Sequence, residues 1–155
     1  MTILPAQRED LQEILDLQYL AYQSEAKLCN NPNIPPLTQT LRDIEQEFQT
    51  GIVLKCMDHN HVIVASIRGY AGNGSFYIGK LIVRPDLQGQ GIGTKLLEEI
   101  ERNYPYKRYE LFTSSNSLRN IKLYERLGYV VFKEQEAAQN LKLIYLEKQN
   151  GKVEH

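Results

Sequence analysis

The stretch Val83-Arg84-Pro85-Asp86-Leu87-Gln88-Gly89-Gln90-Gly91-Ile92-Gly93-Thr94 constrains this chain more than any other. Three glycines, Gly89, Gly91 and Gly93, alternate between a strand-like apolar run and a helix-like periodic one. Glycine takes positive φ without penalty and lets a ligand approach the backbone with no Cβ in the way. A helix N-terminus adds unpaired N–H groups and a partial positive charge, and together these bind phosphate oxygens. The expectation is a phosphate site at the start of a helix beginning at Ile92, with a purely structural glycine turn as the alternative. The spacing argues against two common nucleotide loops. A Walker loop needs a Lys-Ser/Thr pair after its glycines, which is missing here. A dinucleotide fingerprint reads G-x-G-x-x-G in the first β-α unit, whereas this is G-x-G-x-G in mid-chain.

The flanking patterns place the loop in a mixed α/β domain. Leu11, Ile14, Leu17, Ala21 and Leu28 recur at helical spacing and predict one helix over Arg8 to Leu28, ended by the proline-rich Asn30 to Pro36. A shorter helix is expected from Thr40 to Phe48, with Thr38 or Thr40 as N-cap and Gly51 as stop. Ile52–Met57, Val62–Tyr70 and Phe76–Val83 read as three antiparallel strands joined by Asp58-His59-Asn60-His61 and by Ala71-Gly72-Asn73-Gly74. Helices are expected at Ile92–Arg102 and Leu118–Leu127, and strands at Tyr109–Thr113, Tyr129–Lys133 and Leu141–Leu146. With a short first strand, the order is β-α-α-β-β-β-α-β-α-β-β: about four helices over a mostly antiparallel sheet of six to seven strands.

At 155 residues the chain suits one domain, expected over residues 1–149, with residues 150–155 as a flexible tail. A formal net charge of -1 gives no sign of a nucleic-acid or anionic-membrane partner. No apolar run approaches the roughly 20 residues of a membrane span. Cys29 and Cys56 lack metal or disulfide-scaffold spacing and read as free thiols in a reducing cytoplasm. His59 and His61 read as turn residues rather than metal ligands, so no metal is expected.

Gln88-Gly89-Gln90-Gly91-Ile92-Gly93 resembles the acyl-CoA loop of the GNAT superfamily of N-acetyltransferases, whose pattern is Q/R-x-x-G-x-G/A. The run Leu81 to Pro85 resembles the end of that family's fourth strand, and Asn120 to Tyr129 its second motif. The resemblance implies a GNAT-like fold and an acyltransferase that passes an acetyl group from acetyl-CoA to a primary amine by direct attack. It implies that the backbone of Gln88, Gly89, Gln90, Gly91, Gly93 and Thr94 holds the CoA pyrophosphate, and that Leu81, Ile82 and Val83 orient the pantetheine arm. Relatives are often dimers, so a homodimer is open. A non-catalytic acyl-CoA-binding sensor and a generic nucleotide binder are the rival readings.

In the second motif, Ser117, Asn120 and Tyr124 share one helical stripe, with Arg119, Lys122, Glu125 and Arg126 on the opposite face. The resemblance makes Tyr124 the general acid that protonates the departing thiolate, and Ser117 and Asn120 cofactor contacts. The bland alternative has Ser117 capping the helix, Asn120 bonded to nearby backbone and Tyr124 packed as an ordinary aromatic. Many relatives carry a glutamate on the fourth strand to deprotonate the amine, but Ser75 to Arg84 holds no carboxylate. Tyr22 and Glu25, late on the first helix, are the candidates for the acceptor side. The Cys29–Leu37 loop is expected either to shape the acceptor pocket or simply to connect two helices.

Overall fold

The computed structural model describes residues 1–151. Two tight turns organise its centre. Asn73 (φ 51°) and Gly74 (φ 80°) turn Ile63–Gly72 (β3) back into Ser75–Val83 (β4), both residues tolerating the left-handed conformation such a turn needs. Asp58 caps the other turn, its carboxylate accepting from the amides of Asn60 and Val62, and so joins Ile52–Met57 (β2) to β3. Thr2–Pro5 (β1), Arg108–Ser114 (β5), Val130–Ala138 (β6) and Leu141–Gln149 (β7) complete a seven-stranded sheet of order β1-β2-β3-β4-β5-β7-β6. Every neighbouring pair is antiparallel except β4–β5.

Helices cover both faces. Leu11–Ala21 (α1) and Leu41–Thr50 (α4) bury Leu11, Ile14, Leu17 and Ile44 against Val53, Ile63 and Ile82. Ile92–Asn103 (α5) buries Ile92, Leu96, Leu97 and Ile100 on the other face, where Leu118–Arg126 (α6) adds Tyr124. Thr40 is the N-cap of α4: its hydroxyl accepts from the Asp43 amide while the Asp43 carboxylate accepts from the Thr40 amide.

Three expectations need correction. The helix expected over Arg8–Leu28 is a 3-10 turn at Arg8–Asp10, then α1, then a separate Gln23–Leu28 (α2). The break falls at Tyr22 (φ -91°, ψ 1°), and Leu28, beyond it, is off the buried stripe and 65% exposed. The loop after it contains a further short helix, Pro35–Thr38 (α3), started by proline at its first turn. Among the described residues there are thus six α-helical segments, four of them nine residues or longer. Finally, β6 runs to Ala138 although Glu134 to Ala138 have poor strand propensity, because the ladder to β7 continues through them.

The sheet parts in the middle. β4 and β5 pair only between Ser75–Ile78 and Arg108–Leu111. Gly79 begins the separation. The register with β3 runs Gly69↔Ile78 and then Arg68↔Lys80, so Gly79 is the extra residue of a bulge, which bends its strand. Beyond it, Lys80–Val83 diverge from Phe112–Ser114. Among the described residues no helix is long and apolar enough to cross a membrane. The Asn150 amide is tied to the Lys107 carbonyl at 2.6 Å, so the first residue of the expected tail is anchored, and residues 152–155 lie outside the described residues.

Candidate active site

Gly91 is the N-cap of α5, in the left-handed region at φ 85°, and no side chain caps the helix behind it. Its first amides are therefore left for something else to bond. Gly89 is also left-handed, at φ 80°. Gly93 serves differently: a Cβ there would meet Leu123 at 3.1 Å and Leu81 at 3.5 Å, so its absence lets the start of α5 seat between β4 and α6.

These amides face a cleft of about 460 Å³ beside the diverging end of β4. Leu81, Ile82, Val83, Gln88, Gly89, Gly91, Gly93 and Thr94 form one wall, and Ser117 and Asn120 the other. Gln90 is exposed and lies off the cleft wall. Ile82 is buried in the α1/α4 core, while Leu81 and Val83 pack partly buried toward α5. Ser117 occupies the N-cap position of α6 without a side-chain cap bond, and Asn120 makes no side-chain hydrogen bond among the described residues. The capping and backbone-bonding roles considered for these two are therefore not taken up. Arg119 and Arg126, expected on the solvated face, also line the cleft. Arg119 Nη1 donates to Gln88 Oε1 at 3.4 Å, and Gln88 Nε2 in turn donates to the Val83 carbonyl at 3.2 Å. Only the fold of the loop over α6 brings these two arginines there, so no local signal could have marked them.

A second cavity of about 140 Å³ adjoins the cleft and shares Tyr22, Glu25, Leu81 and Asn120 with it. Tyr124 lines this inner cavity, 4% exposed, and its hydroxyl bonds to no described residue. Glu25, just past the break at Tyr22, lines the cavity too, and Pro35 and Pro36 of the proline-rich loop close another side. That loop is anchored by Gln18 Nε2 donating to the Pro36 carbonyl at 2.8 Å and by the buried Ile34 and Cys29. It therefore shapes the cavity as well as connecting helices.

Burial governs the chemistry here, because a low-polarity surrounding penalises the charged form. It pushes Glu25 up to about 7. Burial, with the Glu25 charge nearby, raises the Tyr22 phenol well above its usual range, the Arg68 guanidinium opposing. Burial also raises Tyr124, helped by Tyr22 and Glu25. Lys80, on another wall, is lowered by burial and by Arg68, with Glu47 opposing. The arrangement thus presents a proton acceptor that titrates near neutrality beside a phenol that stays protonated.

Parallel strands parted beside an uncapped, glycine-opened helix define the N-acyltransferase class of α/β fold. A family model for the acetyltransferase (GNAT) domain matches residues 51–131, more than half of the sequence, and the chain belongs to that family. The UPF0157 protein YqkA of Bacillus subtilis (strain 168) is 28% identical over 132 residues, covering 84% of this chain and 38% of that protein. The chain therefore spans well under half the length of this curated relative. Among solved structures, the PaiA N-acetyltransferase of Thermoplasma acidophilum in complex with coenzyme A aligns with a TM-score of 0.76 at 13% identity, covering 97% of this chain and 100% of that one. The ribosomal-protein-S18-alanine N-acetyltransferase of Escherichia coli aligns with a TM-score of 0.76 at 16% identity, over 99% of each chain. These likenesses show the fold.

Proposed function

We propose that residues 1–149 form one N-acetyltransferase domain that moves an acetyl group from acetyl-CoA to a primary amine, in the cytoplasm. The observation that carries this reading is the adjacency of the two cavities. The cleft with the uncapped α5 amides and the inner cavity with Tyr124 and Glu25 share four lining residues.

The cleft fits CoA in the respects that chemistry demands. Uncapped amides at Ile92, Gly93 and Thr94, with Arg119 and Arg126 nearby, suit a pyrophosphate. The diverging edge of β4 at Leu81–Val83 offers backbone groups to the amide-bearing pantetheine arm. Ser117 and Asn120 present free polar side chains to the same channel.

Acetyl-CoA, when bound, supplies an acyl carbon activated by its bond to sulfur. The acceptor enters as an ammonium and loses one proton to Glu25, whose carboxylate is about half ionised at neutral pH with a value of about 7. The free amine then attacks the acyl carbon, forming the C–N bond as the C–S bond breaks. Tyr124 donates its phenolic proton to the sulfur, since burial keeps that proton in place at neutral pH. The surplus proton on the acylated nitrogen then restores the phenol, leaving the neutral amide and CoA thiol. Glu25 thus supplies from α2 what β4 does not.

Release of CoA thiol from acetyl-CoA across a panel of amines tests the reading. Turnover with at least one amine supports it. Binding of acetyl-CoA without turnover on any amine favours the non-catalytic sensor, and stabilisation by ATP or NAD but not by acetyl-CoA favours a generic nucleotide binder.

A further inference from the structure

Arg68 and Lys80 stand directly opposite each other on neighbouring antiparallel strands, so their side chains share the α1/α4 face of the sheet. Like charges in that position repel, and their partners are unequal. Arg68 is 2% exposed. Its Nε donates to Glu47 Oε2 at 2.8 Å, and its Nη2 donates to Gln18 Oε1 at 2.9 Å and Gln39 Oε1 at 2.8 Å. Its Nη1 is buried with no partner among the described residues. The Lys80 side chain makes no ion pair or hydrogen bond among the described residues. The carboxylates nearby are engaged: Glu47 by Arg68 and Gln39, and Asp43 by the Thr40 amide. The one carboxylate that favours the Lys80 charge, Glu47, is already paired with Arg68, so two partly or fully buried cations share a single counter-ion, which is costly to keep.

Lys80 and Pro35 are the two residues that line both the inner cavity and an outer recess of about 770 Å³ between α3 and α4. Lys80 therefore stands at the boundary between the inner cavity and the recess, on a side of the cavity that the cleft does not reach. Glu25 and Lys80 form no ion pair and do not figure among the charges that shift one another. They stand on separate walls, one suited to an amine and one to an anion.

We propose, building on the acetyl-transfer reading, that Lys80, backed by Arg68, anchors a carboxylate of the acceptor, so that the substrate class is a small amine that also bears a carboxylate. Such a molecule enters from the recess with its amine toward Glu25 and its carboxylate on the Lys80 ammonium. The inner cavity, at about 140 Å³, suits a compact amino acid better than a folded protein's side chain. The pairing gives Lys80 a counter-ion of its own, and an acceptor without the carboxylate leaves Lys80 unpaired, the arrangement by which polar sites discriminate most strongly.

The test measures CoA thiol release for amino acids against the amines that lack their carboxylate: alanine against ethylamine, leucine against isopentylamine, and phenylalanine against phenethylamine. Spermidine and a short peptide with a free N-terminus serve as further arms. Binding of acetyl-CoA is followed separately by thermal shift. The expected result is a kcat/KM on the order of tenfold or more higher for the carboxylated member of at least one pair, a charge-assisted contact being worth that much. Lys80→Met collapses that ratio toward one, and Lys80→Arg retains most of it. A preference for the decarboxylated amines, spermidine or the peptide overturns the proposal, as does a ratio unchanged in Lys80→Met. Binding of acetyl-CoA without turnover on the carboxylated amines also overturns it, leaving the CoA site standing. Failure to bind acetyl-CoA overturns the acetyl-transfer reading itself.

Discussion

Glu25 of α2 and Tyr124 of α6, 99 positions apart in sequence, line one small cavity, and the charge of the first helps keep the second protonated. A base that ionises near neutrality beside an acid that does not is the division of labour that amine acylation requires.

Tyr124→Phe removes a hydroxyl that bonds to no described residue, so it should cost little stability while lowering kcat about 100-fold, a general acid's usual contribution. The KM for acetyl-CoA should stay within about twofold, since the phosphate-binding amides are elsewhere. Steady-state kinetics checks both. Unchanged kcat on a good acceptor would remove Tyr124 from the acid role.

Glu25 should impose the acidic limb of the rate profile, with kcat/KM rising as pH increases through about 7, and Glu25→Gln should lower the plateau and abolish that limb. Stability should respond with the opposite slope. The folded value of Glu25 lies above its ordinary 4.5, so the folded state holds the proton more tightly. Its contribution is full below about 4.5 and is lost as pH rises through about 7. The amount is on the order of 2 kcal/mol, reduced from the full shift by partial solvation. Urea denaturation of both proteins between pH 4 and 8 measures the difference.

Gly91→Ala forces an alanine into φ 85°, a strain of about 1 kcal/mol, although a Cβ there meets nothing within 4 Å. For a chain of this size Tm should fall by about 2–4 °C. The KM for acetyl-CoA should rise, because relaxation of the strain turns the first α5 amides from the cleft. Calorimetry and acetyl-CoA titration read the two effects independently.

Arg68→Ala leaves the Gln18 and Gln39 amide oxygens without a donor, while the 40% exposed Glu47 keeps water and Gln39. It should cost about 1–3 kcal/mol in urea denaturation. Arg68→Met, which keeps the packing of the stem, should cost less.

Where a signal is local, the residues carried it. Asn73-Gly74 tolerates left-handed φ wherever it occurs, Thr40 with Asp43 caps a helix by itself, and alternating glycines before Ile92 leave amides uncapped. Helical spacing likewise put Ser117, Asn120 and Tyr124 on one stripe, and the structure places Ser117 and Asn120 on the cleft wall and Asn120 and Tyr124 on that of the inner cavity. The break at Tyr22 was not legible, because the helical pattern runs through it unbroken, and with it went the placement of Leu28. The extension of β6 escaped for a similar reason: its strand state comes from hydrogen bonds to β7, not from its own propensity.

The sequence alone therefore determined the order of the strands and of the longer helices, the glycine loop and the stripe on α6, since propensity, capping and periodicity act over a few residues. Only the tertiary structure decided that Glu25 is buried enough to titrate near 7, that Arg119 folds over Gln88, and that Lys80 lies across from Arg68 without an ion pair of its own. Desolvation and charge pairing depend on what other segments bring within a few ångströms, and no local pattern encodes that.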